Sequence, residues 1–320
     1  MKRIGVLTSG GDAPGMNAAI RAIVRTAIYM DMEIFGIERG FNGLIDGDIS
    51  QMNRRDVGDI VHRGGTILKT ARSESFLTDQ GFARAINILE SFRIEGLIVI
   101  GGNGSLSGAL KLAKAGVKVI GIPGTIDNDL GYTDYTIGFD TAVNTALSAI
   151  GNIRDTSHSH DRTTIVEVMG RHCGDIAICT AIGGGAEIAL IPEQPFDIDE
   201  VCRKLIEAKH RGKMSSIIIK AEGANIASQT LADLIIERTG VDAKVVILGY
   251  IQRGGSPTVR DRILASTLGF EAVKLLKNDI FNRAVGVTGD QVIHLELEEA
   301  LAVEKDRLIA LADLVDVFSI

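Results

Sequence analysis

The chain has 320 residues, of which 45% are hydrophobic, so it is long enough and apolar enough for about two domains with buried cores. Its net charge of −7 argues against a general nucleic-acid binder, and an aromatic content of 4% argues against a stacking platform for single strands. The first apolar run is too short for a signal peptide and no apolar stretch is long enough to span a bilayer, so we expect a cytoplasmic protein that binds neither nucleic acid nor membrane.

Short apolar runs alternate with segments of helical periodicity along the chain. The predicted strands cover residues 4–8, 33–37, 96–100, 117–122, 164–168, 188–191, 217–221, 244–248, 285–287 and 292–295. The predicted helices cover residues 16–30, 82–92, 105–115, 142–154, 197–211, 231–238, 259–275 and a C-terminal segment. This order predicts an α/β protein with parallel sheets and helices on both faces. We expect two Rossmann-like, three-layer α/β/α lobes with a cleft between them.

Glycine-rich loops follow two of the predicted strands. Residues 9–15 follow the first strand, and residues 101–105 follow the third. A strand, a glycine loop and a helix together form the setting in which backbone N–H groups at a helix N-terminus hold a phosphate. The first loop has neither a Walker A nor a dinucleotide pattern, so a plain strand-to-helix turn remains the alternative there.

A pair of carboxylates follows the strand 117–122, which we expect Pro123 and Gly124 to end. Asp127 and Asp129 stand one residue apart at the carboxyl end of this strand, where open α/β sheets bind their ligands. Such a pair suits a base that takes a proton from a hydroxyl, with its partner near a metal. A polar turn that caps the next helix is the alternative.

Four spaced motifs together resemble the bacterial ATP-dependent 6-phosphofructokinases: residues 9–17, 123–129, 169–171 and 252–255. The match runs nearly end to end, with one apparent extra residue between Glu222 and Lys244. The resemblance implies transfer of the γ-phosphoryl group of ATP to the 1-hydroxyl of fructose 6-phosphate, giving fructose 1,6-bisphosphate. It implies Mg²⁺ as cofactor and a committed step of glycolysis.

The same resemblance implies two lobes. The larger, ATP-binding lobe is expected at residues 1–138 and 251–302, and the smaller, sugar-phosphate-binding lobe at residues 139–250 and 303–320. The catalytic residues that it implies are Asp127 as base, Thr125, Asp129, Arg171 and Arg72. Both arginines would stabilise the transferring phosphoryl group.

The resemblance also assigns ligand contacts. Those to ATP are Gly11, Arg72, Ser73, Gly102, Asn103, Gly104 and Ser105. Those to fructose 6-phosphate are Thr125, Asp127, Arg162, Met169, Gly170, Arg171, Glu222, Lys244, Tyr250 and Arg253. The metal would lie near Asp129 and position 103.

An effector site and a homotetramer are implied as well. In the family, some arginines of the sugar-phosphate site reach across from a neighbouring subunit, and an interface site binds ADP as activator and phosphoenolpyruvate as inhibitor. The matching residues are Arg21, Arg25, Arg54, Asp59, Arg154, Gly185, Glu187, Arg211 and Lys213. The cations would take the phosphates and Glu187 a metal. Taken singly, these cations also fit solvated helix faces and helix C-termini.

Four positions depart from the family's pattern, among them Leu77, which replaces a basic residue near the nucleotide. Asn103 stands where the family has an aspartate tied to Mg²⁺, so the oxygen is kept and the charge is lost. Lys244 replaces an arginine and Tyr250 a histidine, which weakens the expected phosphate contacts. Gly104 and Gly124 resemble the ATP-dependent rather than the pyrophosphate-dependent branch. Two functions remain: a working, allosterically regulated phosphofructokinase, or a catalytically impaired nucleotide-binding paralogue with a regulatory role.

Overall fold

The computed structural model describes residues 1–305 and 309–319. The chain divides into two compact units. The first unit contains Met1–Ile126, Leu130–Thr141 and Arg253–Lys305. The second contains Asp127–Asp129, Ala142–Gln252 and Asp306–Ile320, the last of which is described only at residues 309–319. The assignment of ATP to one lobe and sugar phosphate to the other stays a prediction.

Strands and helices alternate along most of the described chain. The strands are β1 (Arg3–Thr8), β2 (Glu33–Ile37), β3 (Ile49–Gln51), β4 (Gly96–Gly101), β5 (Val119–Thr125), β6 (Ile137–Gly138), β7 (Thr163–Val168), β8 (Ile188–Leu190), β9 (Ser216–Ala221), β10 (Ala243–Ile247), β11 (Arg283–Thr288) and β12 (Gln291–Glu296). The α-helices are α1 (Met16–Tyr29), α2 (Gly40–Asp46), α3 (Asp79–Ser91), α4 (Asn103–Lys114), α5 (Phe139–Ser159), α6 (Asp175–Gly184), α7 (Ile198–His210), α8 (Ser228–Thr239), α9 (Val259–Lys277), α10 (Leu297–Ala302) and α11 (Ala312–Phe318). Short 3₁₀-helices cover Ser75–Leu77, Gly249–Arg253 and Ile309–Leu311.

The first unit is built on an eight-stranded sheet of order β12-β11-β5-β4-β1-β2-β3, with β6 paired to β5. Its central pairs are parallel, but β3 pairs antiparallel with β2, and β12 pairs antiparallel with β11. The prediction of parallel sheets was therefore wrong at both edges of this sheet. At the β12 edge the chain turns back through Gly289 and Asp290, and a turn this short joins only antiparallel strands.

Helices cover both faces of this sheet. Side chains from α2, α3, α4 and α10 share one apolar cluster with Leu7, Leu97 and Val99. Because side chains alternate along a strand, the intervening residues point to the other face, where α1 and α9 pack together. Strand β4 is buried over its whole length, which is the pattern of a parallel strand covered on two sides.

The second unit has a four-stranded, wholly parallel sheet of order β10-β7-β9-β8. Helices α7 and α8 pack over Ile165, Ile188 and Ile218 in one apolar cluster, and α6 packs against β8 and β9. The prediction of an α/β fold with two lobes is confirmed. Among the described residues, no helix is both long and apolar enough to cross a membrane.

Several element boundaries differ from the predictions. Strand β5 runs through Pro123 and Gly124 to Thr125, because Gly101 of β4 pairs with Pro123 and β6 pairs with the last two residues. Helix α5 begins at Phe139 rather than at residue 142 and ends at Ser159. Helix α6 was not predicted, since it is apolar on almost every side and shows no helical stripe.

Candidate active site

The glycine loops of the first unit lie where the strand order reverses. Strand β1 has β2 on one side and β4 on the other, so the chain moves outward in both directions from β1. Ligands of open α/β sheets bind at such a point, outside the carboxyl ends of the strands. The loops after β1 and β4 are neighbours there, because Thr8 pairs with Ile100 and Ser9 N–H donates to the carbonyl of Ile100 at 3.0 Å.

Two helix N-termini open from these loops. Helix α4 follows Gly102 and helix α1 follows Gly15, and neither start is capped by a side chain or carries an acidic residue in its first turn. Uncapped N–H groups and the positive end of the helix dipole favour an anion. Asn103 and Gly104 at the start of α4 are exposed, whereas Gly15 and the first turn of α1 are buried, so within the described residues the start of α4 suits a phosphate group.

Close packing explains some of the glycines of these loops but not Gly104. A Cβ on Gly101 would lie 2.6 Å from Ser105 Oγ, whereas a Cβ on Gly104 would meet nothing within 4 Å. A Cβ on Gly102 would lie 3.3 Å from the Cβ of Thr125, and one on Gly11 would lie 3.4 Å from Nη1 of Arg253. The structure thus brings predicted ATP contacts beside Thr125 and Arg253, while Gly104 faces open space.

Arg72 and Ser73 lie on a segment held against the loop after β1. The side chain of Arg72 is exposed, and its carbonyl accepts from Asn42 Nδ2 at 3.1 Å. Thr70 Oγ1 donates to the carbonyl of Gly10 at 2.9 Å, which links this segment to the glycine loop directly. Sequence reasoning missed both linking residues, since an isolated threonine or asparagine carries no pattern.

Thr125 is positioned by residues that are distant in sequence. Its carbonyl accepts from Thr136 Oγ1 at 2.6 Å, and it pairs with Gly138 of β6. Gly138 N–H in turn donates to Asp261 Oδ1 at 2.9 Å. Asp261 is 1% exposed, and burial raises the pKa of its carboxyl above the ordinary value. Sequence reasoning missed Asp261; its position three residues after Thr258, the N-cap of α9, indicated only a helix start.

In the second unit, the carboxylate loop is anchored through its middle residue. Asn128 has a left-handed backbone with φ of 55° and donates from Nδ2 to Asp175 Oδ2 at 2.7 Å. Asp175 is buried at the start of α6. Asp127 is only 8% exposed, and Asp129 is half-buried. This anchoring holds the two flanking carboxylates on one short, fixed loop.

The loops after β7 and β9 are joined in the same unit. Arg171 N–H donates to Glu222 Oε1 at 2.9 Å, and Met169 N–H donates to Gln252 Oε1 at 2.9 Å. A Cβ on Gly223 would lie 1.9 Å from the carbonyl of Arg171, so only glycine fits there. The structure therefore brings Met169, Gly170, Arg171 and Glu222 together, with the Arg171 side chain exposed.

Arg162 and Lys244 lie at the other end of that sheet. Both approach Asp242, with Arg162 Nε at 3.8 Å from Oδ2 and Lys244 Nζ at 3.1 Å from Oδ1. Strand β7 separates Arg162 from Met169, and a strand of this length spans about 20 Å. Tyr250 is 78% exposed. One chain therefore does not gather all the predicted sugar-phosphate contacts of this unit at one place.

A cavity of about 680 Å³ in the second unit borders Glu222. Its floor is formed by Ile247, Glu167 and Lys220, which lie side by side on three neighbouring strands. Lys220 is 1% exposed, and its Nζ lies 3.2 Å from Glu167 Oε2. Glu167 also accepts from the hydroxyl of Ser228 at the start of α8. Sequence reasoning missed this pair, because a lone lysine in an apolar strand gives no hint of its partner.

Four of the predicted effector residues meet in the second unit. Arg154 Nη2 donates to the carbonyls of Gly184 and Gly185, the latter at 3.0 Å, and Lys213 forms an ion pair with Glu187. Glu187 is buried and also accepts from the N–H of Ile217. The fifth residue, Arg211, is exposed at the end of α7.

The remaining predicted effector residues lie in the first unit. Arg21 and Arg25 share one face of α1, and partial burial of Arg21, followed by the charge of Arg25, lowers the pKa of Arg21. Arg54 and Asp59 are exposed on the loop after β3, where Asp59 Oδ1 lies 3.7 Å from His62 Nδ1.

The first unit is, by its topology, a doubly wound α/β structure with an uncapped helix start where its strand order reverses. The family model described as Phosphofructokinase matches residues 3–276. A relative from Alkaliphilus metalliredigens, named ATP-dependent 6-phosphofructokinase, is 57% identical over 304 residues, 95% of each chain. A relative of the same name from Clostridium botulinum is 53% identical over 319 residues, 100% of each chain. The chain belongs to the phosphofructokinase family.

Solved structures agree in fold. The phosphofructokinase of Saccharomyces cerevisiae matches with a TM-score of 0.89 at 34% identity, over 100% of this chain. This chain spans 48% of the yeast chain. A pyrophosphate-dependent phosphofructokinase from Marinobacter aquaeolei matches with a TM-score of 0.86 over 97% of this chain and 86% of its own. At 22% identity, that likeness concerns the fold alone.

Proposed function

We propose that the protein is an ATP-dependent 6-phosphofructokinase, which transfers the γ-phosphoryl group of Mg-ATP to the 1-hydroxyl of fructose 6-phosphate. The observation that carries the proposal is the uncapped, exposed N-terminus of α4, behind a glycine loop at the reversal point of the first sheet. The names of relatives that are 53–57% identical over nearly the whole chain support the same donor and acceptor. A glycolytic role in the cytoplasm goes with this proposal.

The chemistry divides among a few side chains. Asp127 takes the proton of the 1-hydroxyl while the oxygen of that hydroxyl bonds to the γ-phosphorus of ATP. At the same time, the bond between the γ-phosphorus and the leaving oxygen of ADP breaks. Arg72 and Arg171, both exposed, neutralise charge on the transferring group. Thr125, beside Gly102, orients the acceptor. Catalysis then rests on positioning and charge rather than on a covalent intermediate.

Magnesium fits the donor set. Mg²⁺ binds through one or two carboxylates, with phosphate oxygens and waters completing its shell. The described residues contain no cluster of three or more His, Cys, Asp or Glu side chains, so an all-protein cage is absent there. Asp129 would supply a carboxylate ligand, and Asn103 would add an uncharged oxygen. When bound, the ion would neutralise phosphate charge.

The separation within the second unit supports a homotetramer. Arg162 and Lys244 lie a strand's length from Met169, Arg171 and Glu222, and this separation supports a role for them at the sugar phosphate of another subunit. The surface of Arg154, Gly185, Glu187 and Lys213 supports the proposed effector site for ADP and phosphoenolpyruvate. Arg21 and Arg25 would add cations to the effector phosphates from α1.

A coupled assay with Mg-ATP and fructose 6-phosphate tests the proposal. We expect turnover by the parent and a loss of about a hundredfold to ten-thousandfold in Asp127→Asn, which removes the base. Substitution of pyrophosphate for ATP should give little activity. Equal or better turnover with pyrophosphate would contradict the assignment of ATP as donor.

Asn103 motivates the second candidate, a nucleotide-binding regulatory paralogue. It is exposed at the first position of α4, where a carboxylate would face the helix dipole favourably. Asn103→Asp restores that charge next to the phosphate loop. If the parent has almost no turnover and Asn103→Asp raises turnover by about tenfold to a thousandfold, the metal site of the parent is disabled. That result would support the regulatory paralogue. Similar turnover in both proteins favours the working enzyme.

A further inference from the structure

Two threonine hydroxyls join the glycine loop after β1 to the segment that carries Arg72. Thr8 Oγ1 donates to the carbonyl of Lys69 at 2.7 Å. Thr70 Oγ1 donates in the opposite direction, to the carbonyl of Gly10 at 2.9 Å. Because the bonds run in opposite directions between the same two stretches, they fix the alignment of one stretch against the other.

The hydroxyl of Thr8 has one proton, which it gives to Lys69. The hydroxyl of Thr66, 2.9 Å away, must therefore be the donor to Thr8. Lys69 itself has a left-handed backbone with φ of 55°, and its Nζ is paired with Glu38 at 2.8 Å. A non-glycine residue in this conformation persists only where its surroundings hold it in place. The segment is thus held under local strain next to the phosphate loop.

The Thr70 bond has a further geometric consequence. The carbonyl of Gly10 and the N–H of Gly11 belong to one planar trans peptide and point in opposite directions. A donor on the Gly10 carbonyl therefore also sets the direction of the Gly11 N–H. This peptide lies between two glycines, Gly10 with φ of 86°, and such a peptide rotates easily unless something holds it.

We propose that Thr70 is a positioning residue for phosphoryl transfer, acting through the Gly10–Gly11 peptide and through the segment that carries Arg72. This inference rests on the proposed function, with Gly11 as a contact to the ATP phosphates and Arg72 as a contact to the transferring group. The hydroxyl of Thr70 keeps the Gly11 N–H aimed at the ATP phosphates and keeps Arg72, two residues further on, at a fixed distance from the loop.

Three variants test the role. Thr70→Val keeps the shape and removes the hydroxyl, Thr70→Ser keeps the hydroxyl, and Thr267→Val makes the same change where the hydroxyl bonds only within α9, to Ile263 at 2.8 Å. We expect kcat to fall about tenfold to a hundredfold in Thr70→Val, below the loss for deleting an oxyanion donor outright. The KM for fructose 6-phosphate and the melting temperature should stay near the parent values, Thr70→Ser should recover most of kcat, and Thr267→Val should match the parent.

A role in stability alone would show a lower melting temperature with unchanged kcat per folded protein, and this result would overturn the inference. If Thr70→Val does not fold, Thr70→Ala removes the same hydroxyl with less bulk and is judged by the same criteria. Repeating the change in an Arg72→Ala background separates the two routes. If the change at Thr70 still lowers kcat in the Arg72→Ala background, its effect acts through the Gly11 N–H. If it no longer lowers kcat there, its effect acts through Arg72.

Calorimetry with Mg²⁺ and a non-hydrolysable ATP analogue distinguishes failure of the inference from failure of the proposed function. We expect the affinity of Thr70→Val to be about threefold to tenfold weaker than that of Thr267→Val. If the parent has no kinase activity but shows this difference, the proposed function fails, and Thr70 positions the glycine loop for nucleotide binding rather than for phosphoryl transfer. If the two variants bind equally, or the parent does not bind the analogue, the inference is wrong.

Discussion

Both units bury a charged side chain beside a predicted functional loop, but they compensate the charge by different means. In the first unit, Asp261 accepts hydrogen bonds from Gly138 N–H, Thr141 N–H and the Thr141 hydroxyl. In the second unit, Lys220 faces the carboxylate of Glu167 and the carbonyl of Ala221. Hydrogen bonds from neutral donors leave much of the desolvation cost of a buried carboxylate in place. An opposite charge offsets that cost, but removal of either charge then leaves the other one buried without compensation.

The two arrangements also support different parts of the molecule. Asp261 holds Gly138, whose strand β6 pairs with Gly124 and Thr125 at the end of β5. Lys220, which pairs with Glu167, comes directly before Ala221 and two residues before Glu222. The pair lies at the floor of the cavity in the second unit. Stability experiments on the two sites therefore compare dipolar with ionic compensation in one chain.

Glu167→Ala should have the largest effect. It leaves Lys220 buried with only a carbonyl as partner, and removing one member of a buried ion pair costs about 3–5 kcal/mol. Urea denaturation of the parent and the variant measures the loss in unfolding free energy. In a Lys220→Met background the same change should cost much less, because no charge is left unpaired. Equal costs in both backgrounds would show that the pair is not coupled.

Asp261→Asn should have an intermediate effect. An asparagine can turn its oxygen toward Thr141, but its amide group then faces the Gly138 N–H, so a buried donor loses its acceptor. We expect a loss of about 1–3 kcal/mol in urea denaturation. The same substitution at Asp290, which is exposed in the turn before β12, is the matched control and should change little. A comparable loss at both positions would contradict the role assigned to Asp261.

The pH dependence of stability offers a subtler test of Asp261. Burial raises the pKa of this carboxyl in the folded protein, so the native state holds its proton more tightly than the unfolded chain does. This carboxyl therefore lowers stability as pH rises from about 4, the unfolded value, through the raised native value. The unfolding free energy of the parent relative to Asp261→Asn should fall over that window. Parallel profiles for the two proteins would rule out a raised pKa.

Lys114→Ala should have the smallest effect. Lys114 Nζ lies 2.6 Å from Glu298 Oε1, but both side chains are largely exposed. An exposed pair contributes about 0.2–1 kcal/mol, and salt screens it. Urea denaturation in low and high salt should show a small loss that shrinks as salt is added. If Lys114→Ala lost as much unfolding free energy as Glu167→Ala, burial would not explain why the Lys220–Glu167 pair is stronger than the Lys114–Glu298 pair.

Much of the fold could be predicted because its signals are local. Short apolar runs and helical periodicity located most strands and helices, and the α/β class followed from their order. The failures have identifiable reasons. Strand β5 continues past Pro123 because β4 and β6 pair with it, and α6 shows no stripe because it is buried on almost every side. Neither reason is visible in a window of neighbouring residues.

The sequence by itself determined the two glycine loops, the Asp127-Asn128-Asp129 segment and the family resemblance, because motifs of this kind are contiguous. Tertiary structure decided which distant residues hold those loops. Thr70 reaches Gly10 across 60 positions, Asp261 reaches Gly138 across 123, and Lys220 meets Glu167 across 53. It also decided that Arg162 and Lys244 lie a strand's length from Met169. Such pairings arise only when the sheet has formed, since side chains far apart in sequence become neighbours through strand order and register.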